Sequence, residues 1–292
     1  MKSLVTGGSG FIGSHLVDKL VELGHEVVVL DRLHPIHKNE KATYYLVNLS
    51  KNYFEYLHYF EGVNNVFHLA SDVSIPYCVE KPNESMSNNT LSTMNVLECS
   101  RIHKIDKFVF SSTSAVYGDG FFIPSVETNP VKCLNTYSIS KHTGENLCQM
   151  YYDLYGLKTI IFRYFNVYGE RQHKTGQYAP VMSIFFNQKL NNKPLTIVGD
   201  GYQTRDFVHV LDVVNANIMA SQKELENYGD IFNVGTGEGV SISDIANLIS
   251  SYQIKISPRV GEILHSRASV EKIKSIIGWS PTIKVLDWIK KQ

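Results

Sequence analysis

The sequence predicts an α/β protein: a doubly wound parallel sheet followed by a smaller α/β lobe. Three observations predict it. Short apolar runs alternate with amphipathic helical stretches over roughly the first 165 residues, the pattern of parallel strands joined by crossover helices. The first run, Leu4-Val5-Thr6, leads directly into a turn carrying Gly7, Gly8, Gly10 and Gly13. A helical stretch opens on that turn, so strand, glycine turn and helix follow one another without a linker.

In chain order, residues 2–6 read as a buried parallel strand. From Phe11 to Leu23, the side chains of Phe11, Ile12, Leu16, Leu20 and Leu23 form one helical stripe, which Gly24 stops. Residues 26–30 are a second strand, 53–60 a weak helix, 66–69 and 108–110 later strands, and a helix runs from about Asn83 to His103 between them. Residues 136–155 are helical and 159–162 form the next strand. After Gly169 the pattern loosens: 170–177 is loop-like, 181–190 a helix, 195–198 and 207–208 short strands, 210–222 a helix, 231–234 a strand and 242–251 a helix. This divides the chain into a nucleotide-binding domain over 1–169 and a mainly substrate-binding lobe over 170–292. The lobe closes over the C-terminal ends of the sheet strands, and the chain is free to cross between the two.

At 292 residues the chain can bury a large core, and its 43% hydrophobic and 19% charged residues read as soluble and globular. The 28 basic and 28 acidic side chains cancel, so no global field attracts nucleic acid or an anionic membrane, and neither is an expected partner. Any phosphate on a ligand must be met by local groups. Cys78, Cys99, Cys133 and Cys148 form no C-x-x-C pair, which argues against a disulfide framework, a zinc ribbon or any metal site and for thiols in a reducing cytoplasm. No basic leader with a long apolar stretch precedes the first strand, and no apolar run approaches ~20 residues, so no membrane span is expected.

Gly7, Gly10 and Gly13 follow G-x-x-G-x-x-G. A dinucleotide site needs glycine there for a tight turn, for backbone approach to a pyrophosphate and for close helix–strand packing. Glycine is common in turns of every kind; its place after the first strand and before a helix is what makes this a Rossmann-type site. Asp31 ends the second strand, where a carboxylate accepts hydrogen bonds from the adenine-ribose hydroxyls and repels a 2′-phosphate, which favours NAD over NADP. Arg32 is adjacent and works against that preference.

Tyr137 and Lys141 are four residues apart and share a helix face. A free phenol titrates near 10, so it is a poor base at neutral pH. A nearby ammonium and a positive nicotinamide ring both favour the phenolate. Ser112 and Thr113 lie just after the strand at Phe110, and either hydroxyl can hydrogen-bond a reacting oxygen and Tyr137. Taken alone, Tyr-x-x-x-Lys is a packed tyrosine and a solvated lysine. Beside the glycine turn it points to hydride transfer with deprotonation of an alcohol.

Further segments carry a resemblance over nearly the whole length. They are Thr6-Gly7-Gly8-Ser9-Gly10-Phe11-Ile12-Gly13, His68-Leu69-Ala70, Ser111-Ser112-Thr113-Ser114-Ala115-Val116-Tyr117-Gly118, Tyr137-Ser138-Ile139-Ser140-Lys141, Arg163-Tyr164-Phe165-Asn166-Val167-Tyr168-Gly169, Arg205-Asp206-Phe207-Val208-His209-Val210 and Asn233-Val234-Gly235-Thr236-Gly237. In that order they resemble the extended short-chain dehydrogenase/reductases of the NAD-dependent nucleotide-sugar epimerase/dehydratase family, and most of all its UDP-hexose 4-epimerases. The resemblance implies that Thr113 is the catalytic hydroxyl, Tyr137 the base and Lys141 its electrostatic partner. It implies NAD contacts at Gly7, Gly10, Phe11, Ile12, Gly13, Asp31, Arg32, Asn48, Leu49, Leu69, Ala70, Ser71, Asn89, Ser111, Ser112, Tyr137, Lys141 and Tyr164. Beside Thr113 and Tyr137, it places Asn166, Arg205 and Arg259 on the substrate diphosphate, Glu262 on the UDP ribose and Ser266 in the sugar pocket. The implied reaction has Tyr137 take the 4-hydroxyl proton while C4 passes hydride to NAD. The 4-keto sugar then turns over, and hydride returns to its other face. The UDP-hexose substrate is joined by an implied homodimer partner, through a bundle of the helices around 83–103 and 137–155.

Other enzymes of the family (uronate 4-epimerases, 4,6-dehydratases, 4-keto reductases) and a non-catalytic NAD-binding scaffold are the alternatives. Ser114 and Ala115 follow Thr113 where 4,6-dehydratases usually carry an Asp-Glu pair, which argues against dehydration and against decarboxylases with a Glu nearby. Asn48 stands where relatives often have an Asp at adenine, and Ser269 also replaces an Asp. Ser266 replaces a bulky Tyr that restricts the epimerases to unsubstituted hexoses, so an N-acetylated sugar gains room. The competing expectation for Arg205 is an ion pair with Asp206, and His209 is expected to be a packing residue.

Overall fold

The computed structural model describes residues 1–119, 122–172, 180–258 and 263–292. The first strand, β1 (Lys2–Thr6), hands the chain through the glycine turn to α1 (Phe11–Glu22). Gly24, at φ +79°, ends that helix in a conformation that favours glycine. β2 (Glu26–Asp31), β3 (Thr43–Leu46) and β4 (Asn65–His68) follow, then α2 (Ile75–Glu80), α3 (Pro82–Met86), a π-helical turn at Ser87–Leu91 and α4 (Ser92–Ile102). β5 (Lys107–Thr113), α5 (Thr136–Tyr155) and β6 (Thr159–Tyr164) complete the first half.

The remaining elements are β7 (Asn166–Tyr168), α6 (Val181–Leu190), β8 (Leu195–Val198), β9 (Thr204–Arg205), β10 (Phe207–His209), α7 (Val210–Gln222), β11 (Asp230–Val234), β12 (Val240–Ser241), α8 (Ile242–Ile249), β13 (Gln253–Ile256), α9 (Glu271–Ile276) and α10 (Val285–Ile289). Most of the stretch expected to be loop-like over 170–177 lies outside the described residues.

The described residues form a seven-stranded parallel sheet in the order β11-β6-β5-β4-β1-β2-β3. Because side chains alternate along a strand, the sheet buries two faces. Val5 joins Leu16, Val17 and Leu20 of α1 and Val213 and Val214 of α7 on one face. Leu4 joins Val96 and Leu97 of α4 and Cys148 and Tyr151 of α5 on the other. A separate core gathers Phe185 of α6, Ile197 of β8, Ile245 of α8 and Ile289 of α10. The chain returns from this region to the sheet, since β11 pairs with β6.

Several elements differ from expectation, among them α2, β7, β9, β12, β13, α9 and α10, which the sequence reading did not include. β3 is an edge strand whose Thr-Tyr-Tyr-Leu residues are half-buried or exposed, so it lacks the apolar run that marks the others. The helix expected over 83–103 runs from Pro82 to Ile102 with a π-helical turn at Ser87–Leu91 inside it, and Lys81, which leaves helical geometry before Pro82, sets it apart from α2. The helix expected near 53–60 is two short 3₁₀ turns, Tyr53–Glu55 and Leu57–Phe60.

Candidate functional site

At the C-terminal edge of the sheet, the glycine turn is shaped by steric need. Gly7 has φ +72°, and a Cβ there would lie 2.7 Å from the Ala70 nitrogen. A Cβ on Gly13 would lie 2.2 Å from the Gly7 oxygen. Gly10 differs: its Cβ would meet only the Gly7 oxygen, at 3.2 Å, and Gly10 otherwise borders open cavity. Gly10 offers α1 no side-chain cap and no acidic residue occupies the first turn, so the leading N–H groups are left for an anion. This cradle, in which a backbone approaches without side chains, fits the pyrophosphate of a dinucleotide.

Asp31 ends β2 with its Oδ2 accepting from the Ser9 N–H at 3.0 Å and its Oδ1 from the Leu33 N–H at 3.0 Å. Arg32 turns to Asp72, which follows β4. Asn48 accepts from the Ser50 N–H and hydroxyl through Oδ1 (3.1 and 2.8 Å).

Beneath the turn lies a fully buried histidine whose tautomer follows from its neighbours. Thr93 Oγ1 donates to the Asn89 carbonyl at 2.8 Å, so it accepts from His68 Nε2 at 3.0 Å. His68 Nδ1 is then an acceptor for Thr6 Oγ1 at 2.7 Å, and Thr6 Oγ1 accepts the Ala70 N–H at 3.3 Å. Burial, with Lys141 adding to it, pushes His68 down to about 3.

The reactive end is set by α5. Asn135 and Ser138 form a reciprocal capping box at its start, which fixes the first turn on which Tyr137 sits. Tyr137, Lys141 and Glu145 follow at successive helical turns on one face. Lys141 is 4% exposed; its Nζ donates to the Ser111 carbonyl at 2.7 Å and lies 5.1 Å from the Phe110 ring centroid. Burial pushes it down to about 8. Burial pushes Tyr137 up to about 12, opposed by the neighbouring Thr113 hydroxyl. Thr113 Oγ1 accepts the Ala115 N–H at 3.2 Å, and its own proton remains to be donated. The two candidate hydroxyls therefore separate. Ser112 Oγ donates to Glu145 Oε1 at 2.5 Å, inside the fold, and Thr113 stands beside the phenol.

One cavity of about 600 Å³ joins these parts. Its walls include each residue expected at the cofactor: Gly7, Gly10, Phe11, Ile12, Gly13, Asp31, Arg32, Asn48, Leu49, Leu69, Ala70, Ser71, Asn89, Ser111, Ser112, Tyr137, Lys141 and Tyr164, together with Thr113. Leu33, Asp72, Asn88 and Gln172 also line it and were not expected. Asp72 had one legible signal, its place just beyond the C-terminal end of a sheet strand.

Asn166, Arg205 and Ser266 are not in those walls; they lie along one connected edge. The Asn166 N–H donates to the Asp206 carbonyl at 2.9 Å, and the Ser266 N–H to the Thr204 carbonyl at 3.1 Å. Arg205 Nη1 donates to the Thr204 carbonyl at 2.9 Å. Asp206 is fully buried and accepts from the Thr236 hydroxyl and N–H (2.6 Å each), the Gly237 N–H (2.9 Å) and the Ala268 N–H (3.0 Å). Arg259 and Glu262 lie outside the described residues. His209 packs against the Tyr168 ring at 5.0 Å and accepts the Leu211 N–H at 3.3 Å. Among the described residues, no group of three His, Cys, Asp or Glu side chains could hold a metal ion, and no helix is long and apolar enough to cross a membrane.

Residues 3–235 match the model of the NAD dependent epimerase/dehydratase family. A protein of Methanocaldococcus jannaschii described as a putative UDP-glucose 4-epimerase is 40% identical, over 99% of this chain and 96% of its own length. The structure of the UDP-glucose 4-epimerase of Thermotoga maritima with UDP-glucose superposes with a TM-score of 0.94 at 34% identity, covering 99% of this chain and 96% of that one. The UDP-glucuronic acid 4-epimerase of Bacillus cereus, with UDP-glucuronic acid and NAD, gives 0.90 at 29% identity, covering 99% and 97%.

Proposed function

The chain belongs to the NAD-dependent epimerase/dehydratase family, and from that premise we propose that it inverts C4 of a UDP-linked hexose, interconverting UDP-glucose and UDP-galactose. NAD, the cofactor of the family, supplies a reversible hydride acceptor when bound. The observation that carries this reading is that Thr113, Tyr137 and Lys141 line the same cavity as the glycine turn.

Tyr137 takes the proton of the sugar 4-hydroxyl as C4 is oxidised and returns it as C4 is reduced. Thr113 donates toward the same oxygen and keeps it in line. A phenol at about 12 is a weak base, and a cation at this end of the cavity brings it toward neutrality. Lys141, at about 8, is mostly protonated at pH 7 and contributes that charge. Gly7, Gly10 and Gly13 cradle the pyrophosphate, and Asp31 holds the adenine ribose. Asn166, Arg205, Arg259 and Glu262 hold the uridine diphosphate, so that the 4-keto sugar can turn without leaving. Ser266 leaves space for an acetamido group.

The turn after Thr113, Ser114–Tyr117, contains no carboxylate, which speaks against a C5 base and hence against dehydration. The reading extends to a homodimer through α4 and α5, where Met94, Ile139 and Leu154 expose 47%, 44% and 66% of their surface, and to a cytoplasmic enzyme, in line with its free thiols.

The test incubates purified protein with UDP-glucose, UDP-N-acetylglucosamine or UDP-glucuronate, without added cofactor, and looks for 4-epimers by NMR. UDP-galactose from the first supports the proposal. Turnover of the glucuronate alone moves the assignment to a uronate epimerase, and no product from any of the three removes it.

A further inference from the structure

Arg32 leaves the C-terminal end of β2 and Asp72 follows the C-terminal end of β4. In the sheet these strands flank β1, so a bond between the two residues spans the end of β1 and the glycine turn that follows it. The structure makes that bond: the Arg32 guanidinium meets the Asp72 carboxylate. The two partners differ in freedom. The Asp72 side chain is 3% exposed and the Arg32 side chain 49%. Asn88 Nδ2 donates to Asp72 Oδ2 at 2.9 Å, and the Asp72 N–H donates to Asn89 Oδ1 at 2.7 Å. Asp72 is therefore a fixed post, and the flexible guanidinium is the member drawn toward it.

Asp31 and Arg32 are adjacent, and their charges act oppositely on the adenine ribose. A carboxylate there repels a 2′-phosphate, whereas a nearby arginine accommodates one. Which cofactor is preferred depends on where the guanidinium is held. We propose that Asp72 is a specificity-determining residue for NAD over NADP: by binding Arg32 it withdraws the cation that a 2′-phosphate would use. This rests on the placement of the adenine ribose at Asp31 given above. Released from Asp72, the long Arg32 side chain can turn back and meet a phosphate with its planar fork.

The test uses Asp72→Asn in the full-length protein. The amide is isosteric and keeps an oxygen for Asn88, and because Arg32 is half-exposed the change strands no buried charge. Parent and variant are equilibrated with equal concentrations of NAD and NADP and desalted, and the retained nucleotides are quantified by chromatography after denaturation. The bound NADP-to-NAD ratio is expected to rise about tenfold or more in Asp72→Asn, as one new charge-assisted hydrogen bond to the 2′-phosphate would produce. It falls back in the Asp72→Asn/Arg32→Ala double variant, because the rise requires the guanidinium. Asp72→Glu, which keeps the carboxylate, restores most of the preference for NAD. An unchanged ratio in Asp72→Asn, or a rise that persists without Arg32, overturns the proposal. A parent protein that retains neither nucleotide overturns it together with the cofactor placement beneath it.

Discussion

Glu145 receives both prongs of the Arg163 guanidinium, Nε to Oε1 at 2.8 Å and Nη2 to Oε2 at 2.7 Å, with side chains 0% and 2% exposed. Burial alone would raise the Glu145 carboxyl; Arg163, with His142 and Ser112, more than offsets that and holds it below the usual carboxylate range. The same carboxylate accepts from Ser112, which stands between Ser111, the partner of Lys141, and Thr113, which lines the cavity with Tyr137. The ion pair and the Ser112 bond thus tie α5 to β6 and β5 directly behind Thr113, Tyr137 and Lys141.

Removing one member strands the other. Glu145→Gln is expected to lower the unfolding free energy by about 3–5 kcal/mol, read from urea midpoints, whereas replacing both Glu145 and Arg163 by methionine costs less than either single change. A double variant weaker than both singles would refute this account of the pair.

Tyr137→Phe removes the phenol and keeps the ring. For the proposed epimerisation of UDP-glucose, kcat is expected to drop by ~10²–10⁴, with retained NAD and a thermal midpoint near that of the parent. Thr113→Val should also depress kcat more than it raises KM. Parent-level turnover in Tyr137→Phe would remove the phenol from the mechanism.

Lys141 titrates near 8 in the fold against 10.5 in the open chain. Between these values the unfolded chain binds the extra proton, so stability rises with pH across the window; below about 8 the cost of a buried ammonium is constant. In cofactor-free protein, Lys141→Met is expected to raise the thermal midpoint at neutral pH and to flatten its rise between pH 8 and 10.5. Parallel pH profiles for parent and variant would contradict the burial effect.

His68 acts with the same sign in a lower window. Its folded value is about 3 against 6.5, so the native state binds fewer protons between them, and stability is lost as pH falls through that range. His68→Gln cannot take up that proton. Its deficit relative to the parent should shrink between about pH 7 and about pH 4 in urea titrations; a constant deficit would mean that His68 takes up its proton in the fold as readily as in the unfolded chain.

Gly10 and Gly13 are expected to separate affinity from stability. Gly13→Ala forces a Cβ to 2.2 Å from the Gly7 oxygen and should destabilise the protein even without cofactor. Gly10→Ala, at φ −82°, suits an L residue and should leave the cofactor-free thermal midpoint near the parent value while weakening NAD retention. Equal thermal losses in the two would argue that both glycines serve packing alone.

The parts of this fold that were legible are those whose signals are local. β1, the glycine turn, α1 and β2 carry unbroken apolar runs with glycine punctuation, and α5 shows both its Asn135 cap and its Gly156 stop. The pairing of Tyr137 with Lys141 follows from helical spacing. The choice between Ser112 and Thr113 did not, because strand alternation turns them to opposite sides and the inward partner, Glu145, is 33 residues away in sequence. The link from Arg32 to Asp72 was hidden for the same reason, since it joins loops 40 residues apart. β3 escaped because it has one aliphatic side chain, Leu46, and all four are half-buried or exposed, the ordinary condition of a sheet edge.

β11 closes one border of the sheet with residues from late in the chain. On the ribosome, β6 emerges with its outer amide and carbonyl groups unmatched, and they stay so until Asp230–Val234 has been translated. A nascent polypeptide stalled between those points presents a bare template to any other extended segment, an exposure that follows from this topology rather than from overall stability.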